Sequence, residues 1–247
     1  MNSRNVVVVL TLLLMSCSSL TSSTTATTAE PIADLTIHAG FIVSYYARDV
    51  GAARFMSIAP DGELCVAIPE DDHILKLIDS DDDGMADSTI VLAQNLDRVH
   101  SMEFLGDSLY AAGTTHLWLL QDDNDDGVYE NHQVLVDDLP DGGHWTRTLL
   151  IGQDNRLYVS IGSSCNICEE SDQRRAAVVR YNPDGSGEQI FATGLRNAVG
   201  IMFRPGTNAL WGTVNGRDRL HDDLPPEEVL HIQPDGFHGW PYAYGQK

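Results

Sequence analysis

The chain has 247 residues, of which 43% are hydrophobic. That is enough to bury a sizeable core in one or two domains, and it excludes a wholly disordered chain. Its 36 acidic residues outweigh 15 basic ones, for a formal net charge of −21, which repels nucleic-acid phosphates, excludes a DNA or RNA partner and suits a chain that binds cations.

In chain order, Arg4 comes first and an apolar run from Val6 to Met15 (VVVVLTLLLM) follows. The run is too short to span a bilayer and fits the core of a signal peptide. The box LMSC ends it at Cys17 and resembles a bacterial lipoprotein cleavage site. Residues 1–17 are therefore expected to be a lipoprotein signal, with Cys17 carrying lipid. An ordinary secretory signal cut near Ala26 to Ala29 is the alternative. Residues 18–33 (SSLTSSTTATTAE and the residues after it) hold few core formers and read as a flexible tether. The expectation is an exported protein, lipid-anchored to the bacterial membrane and facing the periplasm or exterior, with a folded part spanning 34–247.

Four segments of that part share a pattern: FMSIAPDGELCVA from Phe55, SMEFLGDSLYAAG from Ser101, TLLIGQDNRLYVSIG from Thr148 and GIMFRPGTNALWGTV from Gly200. Each reads as strand, turn, strand. Anchored on Leu64, Leu109, Leu157 and Leu210, they recur after 45, 48 and 53 residues. A third strand follows each and ends in a turn at Gly84, Gly127, Gly185 and Gly236, and a fourth strand can be read after the first three turns. Groups of four short strands at a period of about 40–50 residues predict an all-β fold, a β-propeller of four-stranded blades. No long stretch of 3.6-residue periodicity competes, and a β-sandwich would not repeat in fours. About four blades are present.

Two turns within this repeat are acidic. Asp79, Asp81 and Asp83 alternate before Gly84, with Asp87 beyond; Asp122, Asn124 and Asp126 alternate before Gly127, with Glu130 beyond. This is the spacing of calcium loops, in which alternate oxygens wrap a hard cation. A solvated acidic hairpin is the alternative. The third and fourth repeats carry insertions after their second strands, SSCNICEESDQRR and NGRDRLHDDLPPEE. Equivalent loops lie on one face of a propeller, and enlarged ones are where a site is built. Within the first insertion, Cys165 and Cys168 lack the second cysteine pair that zinc would need, and an exported chain favours a disulfide between them.

His144 stands 13 residues before Leu157; Asn197 stands 13 and Arg196 14 residues before Leu210. The three therefore occupy matching places on neighbouring blades, each just ahead of an innermost strand. A base, a cation and an amide converging beside the channel make a chemical constellation.

The stretches GGHWTRTLLIGQDNRLYVSIG, FATGLRNAVGIMFRPGTNALWGTVNGRD, HDDLPPEEV and GFHGWPYAYG resemble the glucose/sorbosone dehydrogenase family over about Ile37 to Lys247. The SSCNICEE loop and DDLPP point to its sorbosone-dehydrogenase-like branch. The resemblance implies a six-bladed propeller that oxidises a sugar or aldose by hydride transfer to pyrroloquinoline quinone (PQQ), with a sugar substrate and a separate electron acceptor as partners. It implies His144 as general base, Arg196 and Asn197 at the cofactor, Arg196 also stabilising charge on the quinone, and a catalytic Ca2+ held by carbonyls of Asn215, Gly216 and Arg217, with Asp222 and Asp223 just beyond. Three departures stand out. Ser163 occupies the place of an aspartate that orients the histidine in the glucose-oxidising branch, which leaves Asp222 or Asp223 as candidate partners. Arg217 replaces a proline of the calcium loop. The chain reaches Lys247 after about four blades, as a propeller truncated at its C-terminal side would. A non-catalytic binding propeller and a calcium-dependent lactonase are the competing readings.

Overall fold

The structure, a computed structural model, describes residues 36, 38–221 and 224–245. Cys17, the segments 1–17 and 18–33, and Asp222 and Asp223 lie outside the described residues. The chain divides into two units, Met1–Ser44 and Tyr45–Lys247. The described part of the first holds a turn, with the Phe41 N–H donating to the His38 carbonyl at 3.2 Å. The second holds all the described strands.

That unit is all β apart from one turn of 3-10 helix at Pro69–Asp71. Blade one comprises β1 (Met56–Ile58), β2 (Leu64–Ile68), β3 (His73–Ile78) and β4 (Ser88–Ala93). Blade two comprises β5 (Ser101–Leu105), β6 (Ser108–Ala112), β7 (Leu117–Gln121) and β8 (Asn131–Val136). Blade three holds β9 (Arg147–Ile151), β10 (Leu157–Ile161), β11 (Ala177–Tyr181) and β12 (Gln189–Thr193); blade four holds β13 (Ala198–Phe203), β14 (Leu210–Val214) and β15 (Glu228–Ile232). Each blade is an antiparallel meander. The inner strands β1, β5, β9 and β13 pack against one another in that order, which makes the four sheets a propeller.

The repeat anchors Leu64, Leu157 and Leu210 open second strands, and Leu109 is the second residue of one. These strands are apolar on both faces because a blade is covered on both sides. β10 (LYVSI) is buried throughout, whereas outer β8 (NHQVLV) alternates toward solvent. The cores accordingly lie between blades. Cys65, Ala67, Leu92, Leu109, Ala111 and Trp118 fill the first gap; Leu149, Leu157, Val159 and Tyr181 belong to the second; Tyr158, Phe191, Ile201 and Leu210 belong to the third. Burial pushes the Cys65 thiol up to about 12, so it packs as a small hydrophobe. A β-bulge recurs near the start of β3, β7 and β11, where the outermost strand joins its blade.

The third strand of blade four ends, as expected, in a turn at Gly236, with its N–H on the Gln233 carbonyl at 3.0 Å; no fourth strand of that blade follows, because Gly236–Phe237 forms β16, which pairs in parallel with β12 at the outer edge of blade three. The chain thus crosses back after β15. The His238 N–H donates to the Thr193 carbonyl at 2.9 Å and the Trp240 N–H to the Gly194 carbonyl at 3.1 Å. This lays the GFHGWPY stretch beside Gly194-Leu195-Arg196-Asn197.

Candidate active site

His144 lies just before β9 and Asn197 just before β13, and the two line one cleft of about 500 Å³ with Arg54, Trp145, Thr146, Val199, Thr213 and Asn215. Two glycines make the approach possible. Gly143 has φ +64, and a Cβ on it would sit 2.5 Å from the Ser163 carbonyl oxygen. A Cβ on Gly162 would meet the His144 Cβ at 2.5 Å and the Asn197 Oδ1 at 2.7 Å. The end of β10 is therefore bare where the histidine and the amide close over it.

The proton on His144 is fixed by its partners. Nδ1 donates to the Ser163 carbonyl at 2.9 Å, and a carbonyl can only accept. The Ser163 hydroxyl lies 3.1 Å from the same nitrogen but spends its own hydrogen on the Cys165 carbonyl at 2.7 Å. Nδ1 is thus the protonated nitrogen, and Nε2 carries the lone pair. Burial pushes the imidazole below its ordinary value, the Ser163 bond opposes this, and the Arg196 charge adds to it. The ring is neutral and basic at pH 7. The orienting partner is therefore Ser163 itself, acting through its carbonyl and hydroxyl. Serine serves in place of an aspartate because the backbone carbonyl supplies the acceptor.

Arg196 is almost wholly buried, its side chain only 4% exposed. Its Nε donates to the Asn166 carbonyl (3.1 Å), its Nη2 to Asn166 Oδ1 (3.0 Å) and Asp218 Oδ2 (2.8 Å), and its Nη1 to the Asn215 carbonyl (3.4 Å). Four of its five N–H groups are committed, which leaves one on Nη1 for any ligand. The Asn197 amide makes no side-chain hydrogen bond among the described residues.

Two arginines unnoticed in the sequence hold the histidine loop. Arg147, with 0% exposure, donates to the carbonyls of His144 (2.9 Å), Thr146 (2.8 Å) and Pro140. Arg175 donates to the carbonyls of Gly142 (3.0 Å) and Asp141. Burial, reinforced by the neighbouring Arg175 charge, lowers Arg147 to about 10. The signal was available: a lone arginine inside the apolar strand WTRTLLI has no reason to face the core unless carbonyls await it. Arg98 stacks on the Trp145 ring at 4.0 Å and Arg54 lies 5.8 Å from it. In a chain of net charge −21, the cleft margin is a basic island.

Cys165 and Cys168 form a disulfide. In the turn from Asn215, the Gly216 N–H donates to Glu227 Oε2 at 2.8 Å, and the Arg217 Nε is buried without a partner among the described residues. The acidic loops sit away from the cleft, on the hairpins between third and fourth strands. In the first, ligand oxygens of Asp79, Asp81 and Asp87 come within 4.8 Å of one another; in the second, those of Asp122, Asp126 and Glu130 do. Asp83 instead accepts the Met85 N–H at 2.8 Å. Asn124 accepts the Asp126 N–H at 2.9 Å and donates to Glu130 at 3.0 Å. Loop closure thus also draws on the oxygens expected on a cation, since Asp79, Asp81, Asp122 and Asp126 accept loop N–H groups as well.

A family model, TrAA12-like, matches residues 35–234. The chain belongs to the TrAA12-like family. This agrees with the motif resemblance to PQQ-dependent sugar dehydrogenases. Solved structures similar to this TrAA12-like chain include the holo form of the pyranose dehydrogenase PQQ domain from Coprinopsis cinerea, at 21% identity and TM-score 0.68, covering 78% of this chain and 55% of that one. The calcium structure of the Trichoderma reesei Carbohydrate-Active Enzymes Family AA12 protein matches at 21% identity and TM-score 0.67, over 76% of this chain and 55% of that one. The PQQ-bound aldose sugar dehydrogenase of Streptomyces coelicolor matches at 18% and 0.66, over 83% and 67%. At these identities the likeness is one of fold. A curated relative, an uncharacterized protein of Borreliella burgdorferi, is 36% identical over 95 residues, 38% of this chain and 25% of that protein. The TrAA12-like chain thus spans little more than half the length of the first two solved relatives and a quarter of the curated one.

Proposed function

We propose that the cleft is the site of a PQQ-dependent oxidoreductase that oxidises a sugar or aldose, with His144 as general base. The observation that carries this reading is the committed Nδ1: with its proton held by Ser163, neutral His144 offers Nε2 to a substrate hydroxyl. PQQ is a planar polyanion, and its quinone supplies the hydride acceptor when bound. The residues present fit such a group. Arg54 and Arg98 set positive potential around Trp145, Asn197 has an uncommitted amide, and Arg196, which lines not this cleft but the small pocket on the other side of Asn215, retains one N–H.

His144 would take the hydroxyl proton at Nε2, with the hydride accepted by the quinone when it is bound, and Ser163 would steady the imidazolium by accepting from Nδ1. Arg147 and Arg175 keep the ring in place through the backbone carbonyls of residues 140–146. The Asn215–Arg217 turn offers backbone carbonyls, and Asn215 already accepts from Arg196. A calcium ion there would draw on Gly216 and Arg217, and no step is assigned to it. We further propose calcium in the two acidic loops in a structural role, and export with lipid attachment at Cys17. The Cys165–Cys168 disulfide suits an oxidising compartment.

The test is a titration of the purified chain with PQQ, followed by dye-linked oxidation of a panel of aldoses. Saturable binding and turnover lost in His144→Ala support the reading. Absence of PQQ binding, or turnover unaffected by the substitution, overturns it in favour of a non-catalytic binding propeller.

A further inference from the structure

The loop between the two bridged cysteines is small, yet Asn166 within it is a hub. Its carbonyl accepts from Arg196 Nε (3.1 Å) and from Trp240 Nε1 (3.3 Å). Its Oδ1 accepts from Arg196 Nη2 (3.0 Å) and from the Asp218 N–H (2.7 Å), and its Nδ2 donates to the Asp218 carbonyl at 3.1 Å. One side chain and one carbonyl therefore tie together the inserted loops of blades three and four and the stretch that returns along β12. The next bonded residue in the same loop, Cys165, accepts the Ser163 hydroxyl that faces His144.

We infer that Asn166, presented by the disulfide-closed loop, is the positioning residue that fixes the Arg196 guanidinium beside the cleft. A buried guanidinium is tolerated only when its donors are met in a fixed geometry. Asp218 and the Asn215 carbonyl alone leave Nε and one Nη2 N–H unmet; the Asn166 carbonyl takes the first and its side-chain Oδ1 the second. The residue type follows from the chemistry. Oδ1 must accept from a cation while Nδ2 donates to a carbonyl, which an amide does and a carboxylate does not. A carboxylate would also place a second negative charge on Arg196, which already faces Asp218, and would cancel the positive potential that an anionic ligand needs. The disulfide matters because it shortens the loop, so Asn166 is delivered rather than left to search. The link to ligand binding rests on the proposed quinone site; the positioning of Arg196 does not.

Hydrogen exchange at the Arg196 Nη2–H groups, which donate to Asn166 Oδ1 and Asp218, followed by 1H–15N NMR on the whole chain without cofactor and assigned through their loss in Arg196→Lys, tests this directly. The expectation is slow exchange in the wild type and at least tenfold faster exchange in Asn166→Ala. Asn166→Asp should restore slow exchange, since it keeps the acceptor. Tyr242→Phe removes the neighbouring Tyr242–Glu169 bond and should leave exchange slow. Should Asn166→Ala not fold, the same acceleration is expected in wild type treated with a phosphine reductant. Unchanged exchange in Asn166→Ala, or in the reduced protein if it takes that variant's place, overturns the proposal. In a parallel titration, PQQ should bind about tenfold more weakly to both Asn166→Ala and Asn166→Asp, the scale of one charged hydrogen bond. If the wild type binds no PQQ, the quinone reading fails and the exchange result still decides Asn166.

Discussion

His144 has one proton, and the Ser163 carbonyl claims it. Substituting alanine removes the base but none of the Arg196 contacts. In dye-linked assays His144→Ala should therefore lower turnover at least about 100-fold, the low end for a positioned base, while PQQ affinity holds. Equal losses in both would place the histidine at the cofactor instead. A second titratable group, Glu103 on β5, lies in a largely apolar cavity with Met102, Leu149, Ile151 and Met202, and burial raises it to about 7. Its folded value lies above the unfolded one, so the folded state binds the extra proton between about pH 4.5 and 7, and stability is lost as pH rises through that window. Glu103→Gln should consequently match the wild type near pH 4 and exceed it at pH 8, by about 3 kcal/mol for a shift from 4.5 to about 7. Chemical denaturation at both pH values checks it; a pH-independent difference would mean the carboxylate is not buried in its charged form.

At the scale of elements, the hairpins and the inserted loops behave differently. Each acidic hairpin closes on its own amides: Gly84 donates to Asp79 at 2.9 Å and Gly127 to Asp122 at 2.7 Å. The carboxylates left over repel one another, and a cation relieves that. Calcium at a hundredfold its Kd would add about 2.7 kcal/mol per site, several degrees of Tm in a domain of this size. Asp79→Asn with Asp122→Asn should abolish the gain, and a Tm indifferent to calcium and chelator would leave the hairpins as solvated turns.

The repeat was readable because a blade forces a fixed order of apolar strand and tight turn, and Leu64, Leu109, Leu157 and Leu210 mark it. The common offset from those anchors puts His144 just ahead of β9 and Asn197 just ahead of β13, where they line one cleft; the offset says nothing of what they do there. The roles of Asn166, Arg147 and Arg175 are not legible in the sequence, because they run through contacts with other loops that only the folded chain supplies. β16 escaped for a related reason. Two residues carry no periodicity, and their partner strand lies more than forty residues earlier.

The whole molecule sets a net charge of −21 around a basic cleft. Self-repulsion spread over the surface works against compactness. Raising NaCl from about 10 mM to about 1 M shortens the Debye length from about 30 Å to about 3 Å. Without calcium, the chain should then melt about 2–4 °C higher, which corresponds to about 1 kcal/mol. A Tm that falls with salt would show that attractive pairs such as Arg174 with Asp172 and Glu188 outweigh the repulsion.

The bare end of β10 has a bearing on divergence. At Gly162 every possible substitution brings at least a Cβ, and that atom collides with His144 and Asn197 together. At Gly143 the same atom collides with the backbone of Ser163 and Ser164. Neither collision is relieved by any exchange at a single neighbouring position, since one side of it is main chain or two residues at once. A lineage that keeps this backbone and the Asn197 amide thus has no stepwise route away from either glycine, and exchanging the histidine alone does not release Gly162, because the colliding atom is a Cβ that nearly every replacement keeps. Among descendants of this chain, replacement of glycine at 162 should appear only where Asn197 has already gone and the loop carrying position 144 has shifted.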